Sequence, residues 1–188
     1  MSKHIKAGRI IGFTGLAGAG KNTAAFAVIT SGDAITYQYA FAAPIKEAAK
    51  AAMGWTDEHV DGELKELVDP LYGVSPRYVM QTLGTEWGRN MIRDELWILR
   101  AKRFIDSCRE LTPNCTIVIT DVRYDNEAAF IRELGGTILE IVRLDNDKPV
   151  LNHVSESGVH LAYVAKVINN DGTEADLHKA VLEALSPN

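Results

Sequence analysis

The sequence predicts an α/β chain, a three-layer α/β/α domain in which parallel strands are joined by helices. Three observations predict it. Short β-rich runs alternate with longer helical ones along the chain, as in a sheet linked by helical crossovers. The run TIVIT at 116–120 is β-branched and apolar, as a strand covered on both faces must be. A glycine-rich turn sits between a hydrophobic strand and a helix, at the strand end where such sheets present ligands.

The elements follow in order. RIIGFT at 9–14 is the first strand; the glycine turn follows, and residues 21–30 form a helix with small and apolar residues on most faces. YQYAFA at 37–42 is the second strand. Pro44 suits a helical first turn, because its φ is already helical and its missing N–H is not needed there; IKEAAKAAMG then runs to a glycine stop. Residues 57–69 are acidic and polar, which predicts a solvated surface. Ser75 and Pro76 open a helix over 76–92, PRYVMQTLGTEWGRNMI, which Gly84 and Gly88 weaken or bend. A better helix spans 94–109, with Leu96, Leu99 and Phe104 on its apolar stripe. TIVIT is followed by a helix over 126–134 that Gly135 and Gly136 stop. Strands are predicted at 138–142 and 164–168. Thr173 and Asp176 resemble a capping box at the head of a closing helix that ends near Leu185. The stretch 145–160, DNDKPVLNHVSESGVH, has no clear period and reads as a lid.

The bulk properties narrow the function. A length of 188 residues suits one domain, and 46% hydrophobic with 24% charged residues is an ordinary globular composition. Neither a membrane span nor a secretory signal is found, so the expected location is the cytoplasm. Cys108 and Cys115 are too few for a disulfide framework and fit a reducing compartment. A net charge of −5 argues against a nucleic-acid polymer as partner. A small anionic ligand needs only a few local positive groups.

Such a ligand has a candidate seat. GLAGAGKNT, comprising Gly15, Leu16, Ala17, Gly18, Ala19, Gly20, Lys21, Asn22 and Thr23, satisfies GxxxxGK between a strand and a helix. Glycines let backbone N–H groups turn toward a phosphate, the helix N-terminus adds partial positive charge, and Lys21 can bridge the outer phosphates. Asn22 stands where a Ser or Thr hydroxyl usually helps to hold magnesium. Its side-chain carbonyl is still a hard oxygen ligand, so Asn22 is expected to contact the ion or one of its waters. Thr23 is expected at the α-phosphate. Beyond TIVIT, Asp121 sits at a strand end where it can hold magnesium through water, and Arg123 can clamp a phosphate. Neither NKxD nor DxxG occurs, which excludes a GTPase switch, and an ATP-driven machine usually needs more chain.

The blocks GLAGAGKNT, FAAPIKEAA, QTLGTEWGR, TDVRYDNEAAFIRELGG, HVSESG and INNDGTEADL, in that order, resemble those of phage-type deoxynucleoside monophosphate kinases. That family belongs to the P-loop nucleoside and nucleotide kinases, and its members often carry GKDT in the loop. The resemblance implies a P-loop kinase fold with a five-stranded parallel sheet in order 2-3-1-4-5, plus substrate-binding helices and a lid. It implies one domain over 1–188, with a helical substrate-binding region at 44–110 and the lid at 144–160. It also implies transfer of the γ-phosphoryl group of ATP, with Mg2+, to a deoxynucleoside monophosphate. The catalytic set would be Lys21, Asp121 and Arg123, with metal held by Asn22 and Asp121. Lys46, Arg77, Arg89, Arg123 and Arg143 are candidates for the acceptor phosphate. Gln81, Thr85, Glu86 and Trp87 carry groups that can read base and sugar, while His153, Ser155 and Glu156 lie in the lid. Two alternatives stay open: another small-molecule kinase, similar to dephospho-coenzyme A kinase, and an ATP-binding regulatory protein without catalysis. Whether the chain forms a homodimer is also open.

Overall fold

The computed structural model describes residues 8–32, 34–143 and 158–186. The chain divides into two compact units, Met1–Ala40 with Ala101–Asn188, and Phe41–Arg100.

The first unit is built on the expected sheet. Strands β1 (Ile10–Thr14), β2 (Thr36–Tyr39), β3 (Thr116–Ile119), β4 (Thr137–Val142) and β5 (Lys166–Asn169) lie in the order β2-β3-β1-β4-β5, with every pairing parallel. β1 and β3 are buried along their whole length, as central strands must be when helices cover both faces. The alternation along β1 assigns the faces. Ile11 and Phe13 enter a core with Ala24 and Val28 of helix α1 (Lys21–Thr30) and Val181 and Leu185 of helix α7 (Glu174–Leu185). Gly12 faces the other way, where an added Cβ would come within 3.0 Å of Ile131 on helix α6 (Asp125–Glu133). Residues two apart in a strand share a face, so one strand supports both helical layers.

Small side chains set the depth of that packing. Ala24, Ala25, Ala27 and Val28 are the buried residues of α1, letting its backbone lie close to the sheet. α7 is launched as expected: the Thr173 hydroxyl accepts from the Asp176 N–H, and the Asp176 carboxylate accepts from the Thr173 N–H. Thr173 holds the Asp176 carboxyl below the usual carboxylate range.

The second unit is helical. It contains α2 (Ala43–Met53), the short α3 (Asp57–Val60) and α4 (Pro76–Gln81), which continues as a wider π-type helix over Thr82–Ile92. Ala49, Trp55, Val60 and Met80 form its core, and all three tryptophans of the chain, Trp55, Trp87 and Trp97, lie in it. The Trp55 indole N–H donates to Asp69 at 2.7 Å; this bond and the Leu71 and Tyr72 amides hold the Asp69 carboxyl below its ordinary range. Helix α5 (Leu96–Leu111) begins in this unit and continues into the other.

Several boundaries differ from expectation. β2 stops at Tyr39, where its pairing with Ile119 ends, so the following apolar residues are not strand. β5 begins at Lys166 because a single 3-10 turn occupies Leu161–Tyr163. The acidic stretch after Asp57 is only partly solvated: Val60 is buried, and Lys46 and Lys50 pair with Asp61 and Asp57. Gly84 and Gly88 are packing positions rather than weak points. The Trp97 indole donates to the Gly84 carbonyl at 2.7 Å, and a Cβ on Gly88 would meet the Trp97 ring at 2.7 Å. The expected lid lies outside the described residues except for its last three positions.

Candidate active site

The turn after β1 is shaped by two close approaches. At its start, Gly15 has φ +130°, and a Cβ there would sit 2.2 Å from the backbone oxygen of Ile141 on β4. At its end, Gly20 has φ +102°, and a Cβ there would lie 2.4 Å from the side-chain nitrogen of Asn170. Both positions combine a left-handed backbone with no room for a side chain, so glycine is required twice over. Between them Leu16, Ala17 and Gly18 are exposed, while Ala19 is buried and its N–H donates to the Leu16 carbonyl at 3.2 Å.

Helix α1 starts at Lys21 with neither a side-chain cap nor an acidic residue in its first turn. Its leading N–H groups and dipole therefore carry positive potential that no carboxylate of its own first turn cancels, which suits an anion. The Lys21 ammonium arches back over the turn and donates to the carbonyls of Gly15 (2.7 Å) and Leu16 (2.8 Å). A fixed cation thus joins the loop amides. Asn22 is exposed and Thr23 partly buried on the same first turn.

The next strand brings up the other predicted pair. The Val122 N–H donates to the Phe13 carbonyl at 3.0 Å, tying the turn after β3 to the end of β1 just before Gly15. Asp121 and Arg123 flank that tie, both partly buried. Glu127, only 2% exposed, accepts from the Arg123 N–H at 2.8 Å and the Tyr124 N–H at 3.2 Å. This buried carboxylate, like Asn170, was not among the residues singled out from the sequence. The signal for Glu127 was present, since it stands three positions beyond Tyr124 at a helix start, the spacing of a reciprocal cap. Arg143 is exposed just past the end of β4.

Asn22 and Asp121 each offer a hard oxygen beside loop ends of this unit. They follow β1 and β3, which are adjacent strands, and two such oxygens suit magnesium, which takes its other ligands from phosphates and water. Among the described residues no group of three or more His, Cys, Asp or Glu could hold a metal, so a closed protein cage is absent there.

The remaining predicted residues lie in the helical unit. Lys46 pairs with Asp61. Arg77 donates to Glu66 from Nε at 2.5 Å. Arg89 is buried, and its Nη1 reaches the Asp94 carbonyl at 3.1 Å and carboxylate at 3.5 Å. Gln81 and Thr85 are partly buried, Glu86 is exposed, and Trp87 is 44% exposed on the π-type helix. His153, Ser155 and Glu156 lie outside the described residues.

Comparison with known proteins adds a family. Residues 64–181 match the family described as deoxynucleotide monophosphate kinase. The chain is 35% identical over 145 residues to a protein of Acanthamoeba polyphaga mimivirus provisionally named deoxynucleotide monophosphate kinase, covering 71% of this chain and 74% of that one. It is 30% identical over 110 residues to deoxynucleoside-5'-monophosphate kinase of Escherichia phage T5, covering 54% of this chain but only 42% of the phage protein. Among solved structures, dephospho-CoA kinase from Campylobacter jejuni aligns with a TM-score of 0.44 and 13% identity over 95% of this chain and 97% of that one. The family match begins after the glycine loop, so what the loop can bind is read from its own geometry.

Proposed function

The chain belongs to the deoxynucleotide monophosphate kinase family, and we propose that it moves the γ-phosphoryl group of ATP onto a deoxynucleoside 5′-monophosphate. An oxygen of the acceptor phosphate would form a bond to the γ-phosphorus as the bond to the β,γ-bridging oxygen breaks, giving the diphosphate and ADP. The acceptor oxygen is already anionic, so no general base is needed. The demands are alignment and positive charge.

One observation carries this reading: a loop that only glycine can form opens into an uncapped helix, with the Lys21 ammonium held across its mouth. In this proposal the loop amides and Lys21 grip the β- and γ-phosphates, and Thr23 meets the α-phosphate. Asn22 and Asp121 would hold magnesium, which supplies charge neutralisation at the donor when bound. Arg123 would meet the acceptor phosphate, its backbone held by buried Glu127.

For the acceptor we assign the helical region 44–110, with Lys46, Arg77 and Arg89 as cations and Gln81, Thr85, Glu86 and Trp87 for base and sugar. Arg143, just past the end of β4, would add charge on the side of a lid at 144–160 that carries His153 and Glu156. Lys46 and Arg77 already pair with half-exposed carboxylates. Family membership favours this acceptor over dephospho-coenzyme A and over a non-catalytic role.

The test is a panel of deoxynucleoside and ribonucleoside monophosphates with ATP and magnesium, followed by ADP release. At least one deoxynucleotide should raise ADP release well above the rate without acceptor. No acceptor-dependent release with any of them would remove the assigned reaction.

A further inference from the structure

Asn170 follows β5 at the edge of the sheet, 151 positions from its partner, and no sequence spacing connects it to the glycine loop. Its side-chain nitrogen donates to the Ala19 carbonyl at 2.9 Å, and its backbone N–H donates to the Val142 carbonyl at 2.7 Å. The side chain is thus anchored to β4 at its root and holds the loop at its tip. It also fills the space that a Cβ on Gly20 would need.

The consequence follows from peptide geometry. The Ala19 carbonyl and the Gly20 N–H belong to one peptide unit, and no cis bond occurs among the described residues. In a planar trans peptide these groups point in opposite directions. A donor that pins the carbonyl on one side therefore aims the N–H to the other, away from Asn170. Ala19 is 1% exposed, so water is a poor substitute for that donor.

We propose that Asn170 is a positioning residue for the phosphoryl donor, setting the direction of the Gly20 amide and thereby the loop's grip on a triphosphate. This rests on the reading that the loop binds the donor. An aspartate in its place has the same shape but turns lone pairs toward the Ala19 carbonyl. An alanine removes the strut altogether. Either change frees the Ala19–Gly20 peptide to rotate, and one mis-aimed hydrogen bond to a charged ligand is worth about tenfold in affinity.

The experiment is calorimetric titration of wild type, Asn170→Asp and Asn170→Ala with ATP and, separately, with inorganic tripolyphosphate, alongside KM values for ATP and for the monophosphate. Both variants should lose about tenfold on both triphosphates and raise the KM for ATP, with the KM for the monophosphate unchanged. A general loss of structure would move both KM values, so this split separates positioning from mere stability. If Asn170→Asp fails to fold, Asn170→Ala alone carries the test. Wild-type affinity for tripolyphosphate in the folded variants would overturn the inference, and so would a loss confined to ATP, which would place Asn170 against the nucleoside. Wild-type protein binding neither triphosphate would take down the donor site itself as well.

Discussion

Gly20→Ala gives the sharpest test of how the loop is built. Alanine at φ +102° suffers the left-handed backbone penalty of about 1–2 kcal/mol. It also places its Cβ 2.4 Å from the Asn170 nitrogen, closer than any van der Waals contact allows. The Asn170 side chain must swing away and surrender its bond to the Ala19 carbonyl, adding about 1 kcal/mol. The total is about 2–3 kcal/mol. Gly135→Ala is the control, since Gly135 also has positive φ, +75°, but nothing lies within 4 Å of its added Cβ. It should cost the backbone term alone, about 1–2 kcal/mol, and so about 1 kcal/mol less than Gly20→Ala. Urea unfolding followed by far-ultraviolet circular dichroism measures both. Equal destabilisation of the two variants would refute the claim that Asn170 occupies the space beside Gly20.

Three further outcomes are expected. Lys21→Met should leave the circular dichroism spectrum unchanged but lower kcat about 10²–10³-fold, because it deletes a preorganised cation; wild-type turnover would contradict that role. Trp97→Phe should destabilise by about 1–3 kcal/mol, since it strips the indole donor from the buried Gly84 carbonyl, and an unchanged urea midpoint would show that the bond is dispensable. The Asp69 carboxyl is depressed in the fold, so its charged form contributes stability above the ordinary carboxylate value of about 3.9, and that contribution is lost as pH falls through the lower, folded value. The stability gap between wild type and Asp69→Asn should narrow over that acidic interval; a gap independent of pH would count against this account.

Local signals were legible in the sequence and long-range ones were not. α1 begins and ends where expected, at Lys21 and Thr30, because its start is dictated by the loop it caps. The sheet order followed from family resemblance and is the one observed. β5 was placed two residues early because Val164 and Ala165 look like strand; their backbone instead leaves a 3-10 turn, and the real strand is an edge with Lys166 and Val167 exposed. The π-type widening after Gln81 was missed because hydrophobic spacing does not separate it from an α-helix. Its glycines make sense only once packed, Gly88 against the Trp97 ring and Gly84 against Ile45, 3.0 Å from an added Cβ. Lys21, Asp121 and Arg123 could be put forward as candidates because strand ends announce themselves. Asn170 was not, because its partner lies across two strands and most of the chain.

The placement of the tryptophans gives the protein a built-in optical label. Trp55, Trp87 and Trp97 all fall within Phe41–Arg100, so indole emission reports on the helical unit while the sheet stays dark. Trp87, 44% exposed, should be quenched by acrylamide well before the two buried indoles respond. Under the proposed reaction, a monophosphate bound at that unit should alter indole emission with no dye attached; emission that no monophosphate moves would count against that assignment.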